Sequence, residues 1–424
     1  MSVASFEFLY LEHLHRRGFA APTLGIDQGA LGETPGGGII TPRAGLFENV
    51  LAFDFRSLYP SLIRTFNIDP MTYANEAQGS DLITAPNGAR FGRQPGILPD
   101  ILNRFFESRE KAKEAGNQRA SYAYKIVMNS FYGVLGTPGC RFASSALAGA
   151  ITTFGQNILF WARDLVSGLG HEVIYGDTDS LFVLSGMARG TPVDQLSARG
   201  AEIAGIVNSR LSEHLRSTHG VESRLELEFE GLYTRFFLPP MRNAPAGAPA
   251  QGEGEEREAK GRAKGYAGIR ENERVEVIGL EAVRHDWTPL AQKLQMNLLE
   301  WIFHDVPASA IEERIRALLR ELKAGAKDGD LAYRKYLRKP VEAYTKSSPP
   351  HARAAALLPP EERSGLIRYV WTRDGPQPES RRTSAFDYEH YIQKQVRPIV
   401  EAVAPYIGMD AEGLFTAGGQ LGLF

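Results

Sequence analysis

HEVIYGDTDSLFVL, residues 171–184, sets two aspartates one residue apart between two short apolar runs rich in β-branched and aromatic residues. The runs read as the strands of a buried hairpin with GDTDS at its tip. In a strand, residues i and i+2 share a face, and at a hairpin tip they converge through the turn. Asp177 and Asp179 therefore bring two negative charges within a few ångströms, which is costly inside a protein unless a cation shares the site. A lone DTD is most often a polar turn with its aspartates in water. The apolar strands on both sides weigh against that reading.

A third carboxylate lies upstream. NVLAFDF (49–55) reads as a buried strand, and Asp54 stands at its end, where SLYPSLIRTF begins a helix with Pro60 in the first turn. Carboxylates on separate segments suit a hard cation such as Mg²⁺, which takes one or two of them and completes its shell with water and substrate phosphates. Backbone N–H groups at the start of that helix, near residues 57–59, are placed to receive a phosphate.

Cations come from two further helices, expected at about 99–115 and 119–132 and separated by EAGNQ. A turn this short makes them antiparallel. Arg109 and Lys113 share one face, and Lys125, Asn129 and Tyr132 share another. Two such stripes facing one ligand suit a triphosphate, Arg forking to its oxygens and Lys acting as a point charge. Each pair taken singly is better read as a solvated helix face. A further helix is expected near 144–168, and LELEFEGLYTRFFL (225–238) alternates like strands. Residues 242–263 are low in complexity and expected as a loop. Beyond about residue 286 the expectation is mainly helix, with proline-rich breaks at 348–360.

At 424 residues the chain suggests roughly three lobes. A net charge of −2 gives no global sign of a nucleic-acid partner, but Arg334, Lys335, Arg338, Lys339 and Lys346 face only Glu342 within one short stretch. The single cysteine, Cys140, rules out an internal disulfide. No apolar run reaches the ~18 residues that span a bilayer, and no secretory leader is recognisable, so a cytoplasmic protein is expected.

DFRSLYPSLI (54–63), KIVMNSFYGVLG (125–136) and YGDTDS (175–180) occur in the order of the three polymerase motifs of family B DNA polymerases, and the chain resembles that family's bacterial branch over essentially its whole length. The likeness continues through GLEAVRHDWTPLAQ (279–292), YRKYLRKPVEAYTKSSPPHARAA (333–355), IRYVWTRDGPQP (367–378), FDYEHYI (386–392) and the final QLGLF. The resemblance implies an α+β right-hand polymerase: an antiparallel-sheet palm, helical-hairpin fingers and a mainly helical thumb. It implies a connector and the start of the palm at 1–48, palm at 49–98, fingers at 99–135, palm again at 136–285, thumb at 286–412 and a clamp-binding tail at 413–424.

The implied activity is DNA-templated DNA synthesis by two-metal transfer of a nucleotide to a primer 3′-hydroxyl, in repair or translesion synthesis on the bacterial nucleoid. Two Mg²⁺ ions, replaceable by Mn²⁺, are implied at Asp54, the Phe55 carbonyl, Asp179 and Glu228, with Asp177 beside them as the third catalytic aspartate. The triphosphate falls to Ser57, Leu58, Arg109, Lys125 and Asn129. Tyr59 packs under the sugar and rejects a 2′-hydroxyl, and Tyr132 and Gly133 line the new base pair. Primer–template DNA falls to Thr178, Lys264, Tyr266, Arg334, Lys335, Arg338 and Lys339. Gln420, Leu421, Leu423 and Phe424 resemble the peptide by which bacterial polymerases bind the sliding clamp.

Three departures stand out. The 53 residues before Asp54 have no room for the exonuclease and N-terminal domains usual upstream, so no proofreading is expected here, and a separate chain carrying those domains is an expected partner. The basic stretch that follows the duplex minor groove reads AKGY at 263–266, with Arg262 as a candidate to share its role. The loop before it is long and rich in Gly and Glu. Two other readings compete: a non-catalytic DNA- and clamp-binding half of a truncated or split polymerase, and a metal-dependent nuclease. The Lys125–Asn129 stripe suits a free triphosphate better than a cleavage site.

Overall fold

Apolar side chains collect in two cores, one drawn from residues 6–232 and the other from 237–414. The computed structural model describes residues 2–25, 31–74, 81–241, 261–271, 273–345 and 348–416. It divides into two units, Met1–Thr41 with Asn49–Leu232, and Pro42–Glu48 with Tyr233–Phe424. No helix among the described residues is long and apolar enough to cross a membrane.

The first unit runs α1 (Val3–Arg16), β1 (Ile39–Ile40), β2 (Gly45–Phe55, inside this unit from Asn49), α2 (Leu58–Thr65), β3 (Ile83–Thr84), β4 (Arg90–Phe91), α3 (Ile97–Glu114), α4 (Gln118–Leu135), α5 (Ser145–Gly168), β5 (Val173–Asp177), β6 (Ser180–Leu184), α6 (Val193–His219) and β7 (Leu227–Leu238, inside this unit to Leu232). Its strands lie in the order β1-β5-β6-β2-β7. The β5–β6 hairpin forms as read, Asp177 opposite Ser180, and β6 pairs antiparallel with β2, setting Asp54 opposite Ser180 as well. Val50, Leu51, Ala52 and Phe53 are all buried, so β2 is apolar on both faces.

Helix α5 packs on β5, β6 and α2. Leu147, Ile151, Phe154, Ile158 and Ala162 recur along its buried side at helical spacing. The Ser144 side chain caps its start by accepting from the Leu147 N–H. Helices α3 and α4 pack along each other across a turn in which Gly116 takes φ +66°, a left-handed conformation that suits glycine, and Asn117 caps α4. Asp69 ties helices to this frame. Its buried carboxylate accepts from the Tyr10 hydroxyl at 2.7 Å, from the Met71 N–H at 2.7 Å and from the Leu98 N–H at 2.6 Å.

Helix α6 is an addition to the sequence reading, which assigned nothing at 193–219. Its buried side, with Leu196, Gly200, Ile203, Val207, Leu211 and Leu215, is spaced as a helix, but Gly200 interrupts the apolar stripe. Glycine is required there by close approach: a Cβ on Gly200 would lie 2.5 Å from the Phe229 ring on β7. Asn208 of α6 then fixes β7 in register, donating to the Leu227 carbonyl at 3.0 Å and accepting from its N–H at 2.8 Å.

In the second unit β7 continues into an antiparallel meander with β8 (Tyr266–Arg270) and β9 (Val275–Ile278). There follow α7 (Pro289–Phe303), α8 (Ala308–Lys323), β10 (Tyr333–Tyr336), α9 (Pro350–Ala356), β11 (Leu366–Thr372), β12 (Gly375–Pro378), α10 (Tyr388–Tyr391), α11 (Arg397–Val403) and α12 (Ala411–Thr416). The region is mainly helical, as expected, and the three-stranded antiparallel sheet β10-β11-β12 is an addition to that reading. Tyr333 is the inward residue of β10 and stacks on Tyr369 at 5.1 Å and Tyr391 at 5.8 Å. Arg334, Lys335 and Tyr336 are exposed, so the sequence shows a charge run where the fold has a strand with one face in water. Residues 242–260 of the loop expected at 242–263, Lys346 and the tail residues Gln420, Leu421, Leu423 and Phe424 lie outside the described residues.

Candidate active site

Where β2 ends and α2 begins, the first unit holds a cavity of about 260 Å³, lined by the run 54–60 together with Arg109, Lys125, Asn129, Thr178, Asp179, Glu228 and Glu230. Five elements, β2, α2, α3, α4 and β7, and the β5–β6 turn thus converge on one space. The backbone bends sharply on both sides of it. Ser57 takes φ +47° and Thr178 φ +60°, left-handed conformations that cost non-glycine residues about 1 kcal/mol or more each. The turn is held by the Thr178 N–H donating to the Gly38 carbonyl at 2.7 Å and by the Phe55 N–H donating to the Asp179 carbonyl at 2.9 Å.

The carboxylates strain against one another. Burial, then Asp179 and Glu230, push Asp54 up to about 8, with Lys125 opposing and Glu228 adding. Asp179 is also raised, by burial first and then by Asp177 and Glu230. Asp177 sits differently from its neighbour. It does not line the cavity, and its carboxylate accepts from the Thr178 hydroxyl at 3.0 Å and lies 3.4 Å from the Tyr175 hydroxyl. Glu230 was not singled out from the sequence, yet it bears on both Asp54 and Asp179, whereas Glu228 bears on Asp54. The signal was present in LELEFE: Glu228 and Glu230 are i and i+2 on one strand face. Among the described residues no three carboxylate, imidazole or thiol groups form a ready ion site. Two carboxylates with a backbone carbonyl nevertheless match the few protein ligands that Mg²⁺ takes.

Opposite stand the cations. Lys125 offsets the charge of both Asp54 and Asp179. Arg109 has a buried Nε without a hydrogen-bond partner among the described residues, and its Nη1 reaches Ser57 Oγ only at 3.4 Å. Burial and the nearby Arg56 depress its pKa, so this guanidinium is short of the acceptors an anion would bring. Lys113 does not join it: its ammonium pairs with Glu110 at 3.2 Å, and it is absent from the cavity lining. The Tyr59 and Tyr132 rings meet at 4.6 Å, and burial raises the Tyr59 hydroxyl to about 12. A Cβ on Gly133 would meet open space, so its surface is free for a flat ligand to approach.

The segment TPGGG (34–38), read from sequence as a connector, braces the site. A Cβ on Gly37 would fall 2.4 Å from Thr178 Oγ1, Gln156 donates to the Gly36 carbonyl at 2.7 Å, and Thr34 hydrogen-bonds Tyr132. The run of three glycines was the available signal.

A model of DNA polymerase family B matches residues 4–402. The chain belongs to DNA polymerase family B. It is 39% identical to DNA polymerase II of Escherichia coli K12 over all of this chain and 53% of that protein. It is 27% identical to DNA polymerase 2 of Aeropyrum pernix, over 92% of this chain and 47% of that one. Among solved structures, the family B DNA polymerase of Pyrobaculum calidifontis superposes with a TM-score of 0.62 at 27% identity, covering 95% of this chain and 51% of the other. The chain therefore spans about half the length of the family B relatives it matches.

In the second unit, the family's duplex-binding candidates are distributed unevenly. Lys264 sits in a left-handed turn at φ +61°, and Tyr266 opens β8 with its ring 5.2 Å from Phe236. Arg262, the candidate to share their role, donates to Glu281 Oε1 at 2.7 Å and to the Gly279 carbonyl at 3.1 Å. Arg334, Lys335, Arg338 and Lys339 are exposed on and after β10.

Proposed function

We propose that this chain carries out DNA-templated DNA synthesis, joining a nucleotide to a primer 3′-hydroxyl with release of pyrophosphate. The observation that carries the reading is the single cavity in which Asp54 and Asp179 face Lys125, Asn129 and Arg109. Asp54, Asp179 and the Phe55 carbonyl would hold Mg²⁺, with Asp177 and Glu228 close by. When bound, the ions neutralise phosphate charge and favour an alkoxide at the primer end. The chain's own residues do the rest by positioning. Arg109 and Lys125 take phosphate oxygens, Asn129 and the N–H groups of Ser57 and Leu58 add hydrogen bonds, and Tyr59 blocks a 2′-hydroxyl. Tyr132 and Gly133 offer a surface for the new base pair. Thr178, Lys264, Tyr266, Arg334, Lys335, Arg338 and Lys339 hold the duplex.

Primer extension by the purified chain, with Mg²⁺ and four deoxynucleotides, tests this directly. Extension that vanishes in Asp179→Ala, with primer–template binding retained, is the expected result. A folded, DNA-binding chain that never extends a primer would leave the non-catalytic reading. A place in repair or translesion synthesis, and clamp binding through QLGLF, extend the proposal. Deleting residues 420–424 should lower synthesis only when a clamp is present, and an equal loss without it would contradict clamp binding.

A further inference from the structure

Arg56 follows the strand that carries Asp54, and three carboxylates from two other segments surround its guanidinium. It forms an ion pair with Glu110 on α3, Nη1 donates to Glu226 Oε2 at 3.2 Å, and Nε lies 3.7 Å from Glu228 Oε1. Its backbone N–H also donates to the Glu226 carbonyl at 2.9 Å, tying the end of β2 to the approach to β7. The Arg56 side chain is 22% exposed, while its three carboxylate partners are about half exposed. Both Arg56 and Glu228 line the cavity that holds Asp54 and Asp179.

The three contacts are unequal. Glu110 and Glu226 hold the guanidinium at hydrogen-bonding range, whereas Glu228 sits at the outer edge of an ion pair. With five N–H donors and two firm acceptors, Arg56 stays anchored whether or not Glu228 remains. Glu228 can therefore turn from Arg56 toward the aspartates without unmaking the anchor. A divalent cation beside Asp54 and Asp179 would draw it that way, and Arg56 opposes the move by pairing with Glu228 and by repelling the cation.

We propose that Arg56 is a positioning residue that competes with the divalent cation for Glu228 and so sets the cation concentration at which the site fills. This rests on the polymerase reading for the cation site itself. A plain brace between α3 and β7 would predict something else: lower stability on substitution and unchanged cation affinity.

The probe is Mn²⁺, with free ion counted by electron paramagnetic resonance, on the full chain without DNA or nucleotide. Arg56→Gln should lower the half-saturating Mn²⁺ concentration roughly five- to tenfold, the size of one unit charge removed from a partly buried neighbourhood. In a Glu228→Gln background the same substitution should shift it by less than half as much on a logarithmic scale. Unchanged or weaker Mn²⁺ binding by Arg56→Gln, or a shift undiminished by Glu228→Gln, overturns the proposal. A wild-type chain with no Mn²⁺ site sensitive to Asp179→Ala would overturn the cation site first, a separate and recognisable failure. Arg56→Lys keeps the anchor to Glu110 but not the fork to three carboxylates. It should shift binding in the same direction by a smaller factor, and carries the test if Arg56→Gln does not fold.

Discussion

Asp54 shows most directly what one residue contributes at this site. Its carboxyl is held up to about 8 by burial and by Asp179 and Glu230, while the free side chain titrates near 3.8. Between those values the native state binds a proton that the unfolded state has lost. Its contribution to stability is therefore present at low pH and falls as pH rises from about 4 to about 8. Thermal melts in chelator should show Asp54→Asn melting above wild type at pH 8 and level with it near pH 4. A difference that stays constant with pH would contradict this origin. At this scale the sequence was legible for Asp54, Asp179, Lys125 and Asn129, which belong to quoted motifs, and for Arg109, read from helical spacing: all line the cavity. It was not legible for Lys113, whose ammonium is taken by Glu110 one turn back, nor for Arg56, whose three partners come from segments distant in the chain.

Elements decide how firmly those residues are held. Hairpin β5–β6 was readable from two apolar runs around a turn. Its brace was not, because the contact between Gly37 and Thr178 joins residues far apart in sequence. Gly37→Ala would place a methyl group 2.4 Å from Thr178 Oγ1, at a residue already in a left-handed conformation. Primer extension should fall at least tenfold on this change while the melting temperature moves by only a few degrees, since overpacking this one half-buried turn costs about 1–3 kcal/mol. Full activity in Gly37→Ala would show that the brace does not position Asp179. Helix α6 makes the complementary point: its glycines interrupt the apolar stripe, yet Gly200 admits the Phe229 ring and Asn208 holds Leu227, the residue before Glu228.

For the whole molecule, two separate cores imply two unfolding transitions in place of one. Their responses to pH differ in balance. In the first unit the carboxyls of Asp54, Asp69 and Asp179 are all raised, chiefly by burial, so mild acid relieves a cost there, against which His13 and His219, both lowered by burial, act below about pH 6.5. In the second unit His390 stacks flat on Trp371 at 4.2 Å, meets the Tyr333 hydroxyl at 2.9 Å, and is lowered to about 4 by burial. An unfolded histidine binds its proton near 6.5, so the contribution of His390 to the unit's stability is whole above that value and is lost as pH falls toward 4. Glu276, Asp286 and Glu379 are lowered by arginine partners and act in the same direction only below about pH 4.5. Scanning calorimetry in chelator should find the two transitions moving apart as pH drops from 8 to 5. Both moving the same way would refute the assignment.

The sequence by itself determined the family, the order of the strands and helices that carry the three motifs, and the residue types that meet at the cavity. These are properties of local pattern and of unusual residue choices that survive in a linear string. Tertiary structure alone decided that Asp177 lies off the cavity wall while Glu230 bears on both inner aspartates, that Arg262 pairs with Glu281, and that a sheet lies among the second unit's helices. Each of those outcomes depends on which distant partner reaches a side chain first. Burial and charge act over ångströms in space, and spacing along the chain does not measure that distance.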